Sequence, residues 1–185
     1  VLLAAKELRR HWQHYHGAGI NPLNFYPDQA ILIHRAQHAD LDIAVIRVAW
    51  ELKLNGRNEF WSKIENSTFS DIGRSLAREA LADFRTLNDG RAMSAAFETW
   101  FLSDRCCYQD KELINTMLSE YQDYIFDNEE TSRIVAIDLL TQLGVMPFGK
   151  NYLAAYAQMI ISDPIFYEIR DRANANFLWC IKCER

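Results

Sequence analysis

Along this chain apolar residues return every third or fourth position, the period of a helix face, and Gly, Pro and Asn/Asp clusters interrupt them. The spacing predicts an all-α fold. A first helix over 1–16 carries Val1, Ala5, Leu8, Trp12 and Tyr15 on one stripe, the side expected to pack inward, and Gly17 and Gly19 stand where a helix ends. After a loop over 20–26, Pro27 opens a long helix reaching residue 55, roughly 40 Å at the rise of an α-helix. One of its faces holds Ile31, Leu41, Val45, Ala49 and Leu52. A second holds Leu32, Ala36, Ala39, Ile43, Ile46 and Trp50, which leaves a narrow polar strip with Asp40, Arg47 and Glu51. A helix apolar nearly all round is enclosed by its neighbours, so 27–55 is expected to be the central post of one helical domain spanning 1–185. Shorter helices are predicted near 58–65, 70–86, 91–102, 109–125, 131–143, 151–162 and 164–173. The breaks between them fall at Asp89-Gly90, Asn128 to Thr131, Gly144 with Pro147, and Asp163-Pro164.

Composition narrows the function classes. With 49% hydrophobic and 24% charged residues, 7 Gly and 4 Pro in 185 positions, the chain has the make-up of a globular core rather than of a low-complexity or fibrous segment. A formal net charge of −5 argues against general affinity for phosphate backbones, so no nucleic-acid partner is expected. No stretch offers the ~20 uncharged positions of a membrane span, and no membrane partner is expected either. Residues 1–5 lack the basic flank and length of a signal peptide, and a first residue other than Met leaves room for a missing N-terminal segment. Cys106, Cys107, Cys180 and Cys183 are too few and too clustered for a secreted disulfide framework, so a reducing cytoplasm is the expected setting. Cys180 and Cys183 have the CxxC spacing of zinc ribbons and dithiol redox sites, but neither a second ligand pair nor a βαβ setting accompanies them. Buried free thiols are expected. No phosphate-binding loop, dinucleotide-binding glycine turn or nucleophile elbow occurs.

All five histidines, His11, His14, His16, His34 and His38, lie in the first 38 residues. His34 and His38 stand four apart, so both project to one side of the long helix and could bite one metal ion; the competing reading is a pair of core histidines, each with one hydrogen bond. His11, His14 and His16 are expected to be exposed, beside the negative end of the first helix.

The segment Lys6-Glu7-Leu8-Arg9-Arg10, between Leu2-Leu3-Ala4-Ala5 and His11-Trp12-Gln13, resembles the His-Glu-x-x-His helix of a zincin with both His positions changed. Further stretches are similar to a family of metallopeptidase-like domains, otherwise of unknown function, from alphaproteobacteria: Arg35 to Asp40, Val48 to Lys53, Asp89 to Met93 with Ala96-Phe97, and Asn174 to Trp179. The resemblance implies zinc on two helix histidines, a Glu as general base on the bound water, and a further ligand from the next long helix. Glu7 matches the base position. Lys6 and Arg10 occupy the ligand positions without a lone pair to offer, and His38, with Asp40 two residues on, is the best-placed third ligand. The expected cofactor is therefore none, with zinc as the alternative. Lys6 and Arg10 are then expected to pair with some of Glu7, Asp40 and Glu51 where zinc would sit, or else to lie on a solvated side opposite the Leu8/Trp12 stripe.

The resulting expectation is a pseudoenzyme: a metallopeptidase-like domain with a degenerate site that binds a protein or peptide or acts as a regulator. One rival is an active zinc-dependent hydrolase that recruits His34 and His38 with His11, Glu7 or Asp40. Another is a helical interaction module unrelated to peptidases.

Overall fold

A computed structural model describes residues 1–120, 133–147 and 150–184. The described residues form ten α-helices: α1 (Leu2–Tyr15), α2 (Pro27–Leu54), α3 (Asn58–Glu65), α4 (Ser70–Ala82), α5 (Thr86–Asp89), α6 (Arg91–Phe101), α7 (Arg105–Ser119), α8 (Ile137–Leu143), α9 (Ala157–Ser162) and α10 (Arg172–Glu184). Short 3-10 turns occur at Pro22–Asn24 and Pro164–Phe166, and among the described residues extended pairing is confined to isolated bridges, Phe25 with Arg133 and Val145 with Asn151. The fold is all-α. The predicted break at Asn128 to Thr131 and the outer ends of the helices predicted near 109–125 and 131–143 lie outside the described residues.

Pro27 starts α2 at the first helical position, where its missing N–H costs nothing, with Asp28 in the first turn and Lys53 in the last to suit the helix dipole. Ala30, Ile31, Leu32, Ile33, Ala36, Ala39, Ile43, Ile46 and Ala49 are all fully buried, and α1, α3, α4, α6 and α7 pack around this post. Gly90 joins α5 to α6 with φ of 97°, and a Cβ there would fall 2.9 Å from Tyr152 Cβ. Only glycine supplies that conformation and that approach together. Ser94 Oγ, one turn further on, donates to the Tyr152 carbonyl at 2.6 Å. Tyr152 is thereby fixed at the heart of the domain. No helix among the described residues is long and apolar enough to cross a membrane.

Several expectations need correction. The segment 70–86 divides at Asp83, whose extended backbone ends α4. Within 151–162 only Ala157–Ser162 is helical, and 164–173 yields the Pro164–Phe166 turn, capped by Asp163 accepting from the Ile165 N–H, instead of a helix. The final helix, α10, was not expected. Asn174 and Asn176 mask it in the pattern, but Asp171 caps the Asn174 N–H and burial of Leu178 and Ile181 holds it, with α7 as its main neighbour.

The largest correction concerns α1. Three of the five residues on its apolar stripe face solvent, with Val1, Leu8 and Tyr15 62%, 70% and 86% exposed, while Ala5 and Trp12 are half-buried and Arg9 and Gln13 are its buried residues. The cysteines also differ from expectation: all four are free, but only Cys106 is buried, Cys107 is half-buried, and Cys180 and Cys183 are exposed. Burial pushes the Cys106 thiol up to about 11, so it behaves as a small apolar side chain.

Candidate functional site

Helices α1 and α2 run antiparallel, since Lys6 meets Asp42, Arg9 meets Asp40, and Gln13 meets the Gln37 carbonyl. Charged residues sit in two groups along this seam. In the first, Arg9 donates through Nε and one terminal nitrogen to both oxygens of Asp40, at 2.7 and 2.8 Å, and its remaining donors reach the carbonyls of Leu143 and Val145. Gln13 Nε2 and the Tyr152 hydroxyl complete the shell of Asp40, each at 2.7 Å. Asp40 is fully buried, and a buried carboxylate is tolerable only with this many partners. Burial, and then the Asp40 charge, hold the Tyr152 phenol well above its usual range, so it remains a donor. A matching knot lies further along α2, where Arg35 forks onto Asp110 of α7 and caps the carbonyls of Phe166 and Glu168.

The second group lies toward solvent. Lys6 Nζ donates to Asp42 Oδ1 at 2.9 Å, and the other Asp42 oxygen accepts from Trp100 Nε1 of α6 at 3.0 Å. Arg10, about two-fifths exposed, holds both oxygens of Glu7 through one nitrogen at 2.7 and 2.8 Å. The rings of His34 and His38 lie 4.5 Å apart, so the four-residue spacing does bring them together. Burial, then the neighbouring His34, Lys6 and Arg10, lower His38 to about 3, which keeps it neutral near pH 7. His34 is lowered by burial too, against the pull of Glu112 and Asp110 of α7, and its Nε2 is buried without a hydrogen-bond partner.

The predicted pairing scheme is thus partly replaced. Arg10 pairs with Glu7, but Lys6 takes Asp42, Asp40 belongs to Arg9, and Glu51 is bound by Arg47 at 2.9 Å. His38 and Asp40 do not share a site, because Asp40 is enclosed by Arg9, Gln13 and Tyr152. His11 is exposed on the outer side of α1, so the ligand set His34, His38, His11, Glu7 and Asp40 does not converge. Among the described residues no three His, Cys, Asp or Glu side chains are grouped to hold a metal ion.

Sequence reasoning missed Arg9, Gln13, Asp42, Trp100 and Tyr152. Asp42 was within reach of it, standing one turn beyond His38 just as Arg10 stands one turn beyond Lys6. Trp100 and Tyr152 arrive through tertiary packing alone. A separate apolar cavity of about 640 Å³, lined by Trp50, Leu54, Leu81, Phe84 and Leu87 among others, shares no residue with either group.

An all-α domain with a Lys-Glu-x-x-Arg helix braced against a long central helix is the class that these features define. The chain belongs to the "Putative metallopeptidase family (DUF6782)", whose model matches residues 1–154, so α9 and α10, and with them the Asn174 to Trp179 stretch, lie beyond the matched span. No curated protein and no solved structure matches the chain. The family's description implies a metal, and the side chains of Lys6 and Arg10 do not fit one. An ammonium and a guanidinium carry no lone pair at neutral pH, and each is already committed to a carboxylate.

Proposed function

We propose that this chain is a metallopeptidase-like domain of zincin type whose hydrolytic site is degenerate, and that it acts by binding a protein or peptide. The observation that carries the reading is the ion pair between Lys6 Nζ and Asp42 Oδ1, at the position where the motif would otherwise present a ligand. The Arg10 pair with Glu7 adds to it: one guanidinium nitrogen engages both oxygens of the carboxylate that the motif would offer as general base. The outward Val1, Leu8 and Tyr15 of α1 give a partner apolar contact area beside these charges.

The test is elemental analysis of protein purified without chelator, together with a peptidase assay on mixed peptides. Less than about 0.1 equivalent of zinc and no chelator-sensitive cleavage are expected. About one equivalent of tightly held zinc, or cleavage abolished by a chelator, overturns the proposal.

A further inference from the structure

The final helix carries a pair of reactive groups that the seam between α1 and α2 does not use. Leu178 and Ile181 of α10 are buried, mainly against α7, and the Lys182 ammonium is paired with Asp28 of α2. At the period of a helix, Cys180 and Cys183 fall on the opposite side, about 60° apart, and both are exposed and free. Two thiols therefore stand side by side on the outward face of an anchored helix, flanked on its surface by the exposed rings of Phe177 and Trp179. A helix that only fills space has no use for two solvent-facing thiols.

Spacing decides what the pair fits. Side chains three apart on a helix have Cβ atoms about 5–6 Å apart, whereas an unstrained disulfide needs about 3.5–4.5 Å. Closing one would pull the last turn of α10 out of its regular form. An ion between the sulfurs adds two metal–sulfur bonds, each about 2.3 Å for a thiolate on zinc, and spans the gap with the helix unchanged. Ligand count then decides which ion. A closed zinc site needs four ligands, and among the described residues no three His, Cys, Asp or Glu side chains are grouped to hold a metal ion. Copper(I) is soft, selects thiolates and is satisfied by two of them. We propose that Cys180 and Cys183 form a two-thiolate copper(I) site on the outward face of α10. Binding displaces one proton from each thiol and leaves the oxidation state of the copper unchanged, so no oxidant or reductant is consumed. Because the pair faces solvent, a thiolate of another molecule can reach the ion, which makes this an exchange site rather than a structural one. The helix lies beyond residues 1–154, so the site is independent of the reading of the chain as a degenerate metallopeptidase-like domain.

The experiment offers copper(I), without oxygen, to the reduced full chain from its coloured complex with bathocuproine disulfonate, in excess glutathione. About one equivalent should pass to the chain with its helical circular dichroism unchanged, and both Cys180→Ser and Cys183→Ser should lose it. Both positions are exposed, so these variants should fold. Cys107→Ser, at a half-buried thiol outside the pair, should bind as the parent does. Zinc(II) offered alone should not survive desalting. Copper that stays with glutathione, copper retained in either pair variant, or copper lost in Cys107→Ser overturns the assignment. So does zinc held at about one ion per two chains, which would mean a four-thiolate site shared between copies. A Cys180–Cys183 disulfide that persists in excess reduced glutathione overturns it too, since a strained bond at that spacing should be reduced.

Discussion

The two charged groups flanking α1 differ in one respect that explains both. Around Asp40 both carboxylate oxygens and every guanidinium nitrogen of Arg9 are matched, the group is buried, and Arg9 ties α1 to α2 and to two carbonyls at the end of α8. Around Asp42, Lys6 and Arg10 remain partly in solvent and each holds one carboxylate. The first arrangement has the completeness of a structural brace. The second stays half in water, each cation on a single carboxylate, as at an ordinary protein surface. Residues three apart in one helix turn therefore serve different ends, and burial rather than sequence distance separates them.

The sharpest way to break the comparison is to remove a partner from the brace. Arg9→Met should cost about 3–5 kcal/mol of stability by leaving Asp40 charged, buried and short of donors; urea denaturation would measure it, and a loss below about 1 kcal/mol would deny the brace its role. Acid comes next. His38 is held neutral down to about 3, whereas in the unfolded chain it takes a proton near its ordinary 6.5. Stability from this group is therefore complete above about pH 6.5 and falls as the pH drops from there toward 3, by a few kcal/mol in total. Comparing urea midpoints at pH 7 and pH 4.5 for the parent and His38→Gln should show a smaller drop in the variant.

Lys6→Met should cost about 1–3 kcal/mol, less than Arg9→Met, since water can reach what it leaves behind. Tyr152→Phe removes one of the hydrogen bonds to Asp40 and should cost about 1–2 kcal/mol while leaving Lys6→Met unaffected in a double-mutant cycle. A coupling above about 0.5 kcal/mol would mean that the two groups are one. Arg10→Ala, at an exposed pair within one helix, should change stability by less than about 0.5 kcal/mol. Any larger value would show that its bond to Glu7 carries more than a surface pair normally does.

Helix period and punctuation alone made the long helix from Pro27, the all-α class and the pairing of His34 with His38 legible, because these follow from local geometry: φ fixed by proline, side chains four apart on one face. The Arg10–Glu7 pair was legible for the same reason. The inward face of α1 was not. Hydrophobic patterning places Leu8 and Tyr15 inside, and only the assembled fold shows Arg9 and Gln13 there, because a buried cation is stable only once Asp40 and two distant carbonyls surround it. Asp42 rather than Asp40 as the partner of Lys6 was likewise decided by packing, with Trp100 from α6 fixing the carboxylate. Sequence determined which surfaces each helix could offer; the tertiary structure decided which charges would find partners, since a charge's cost depends on everything brought around it from elsewhere in the chain.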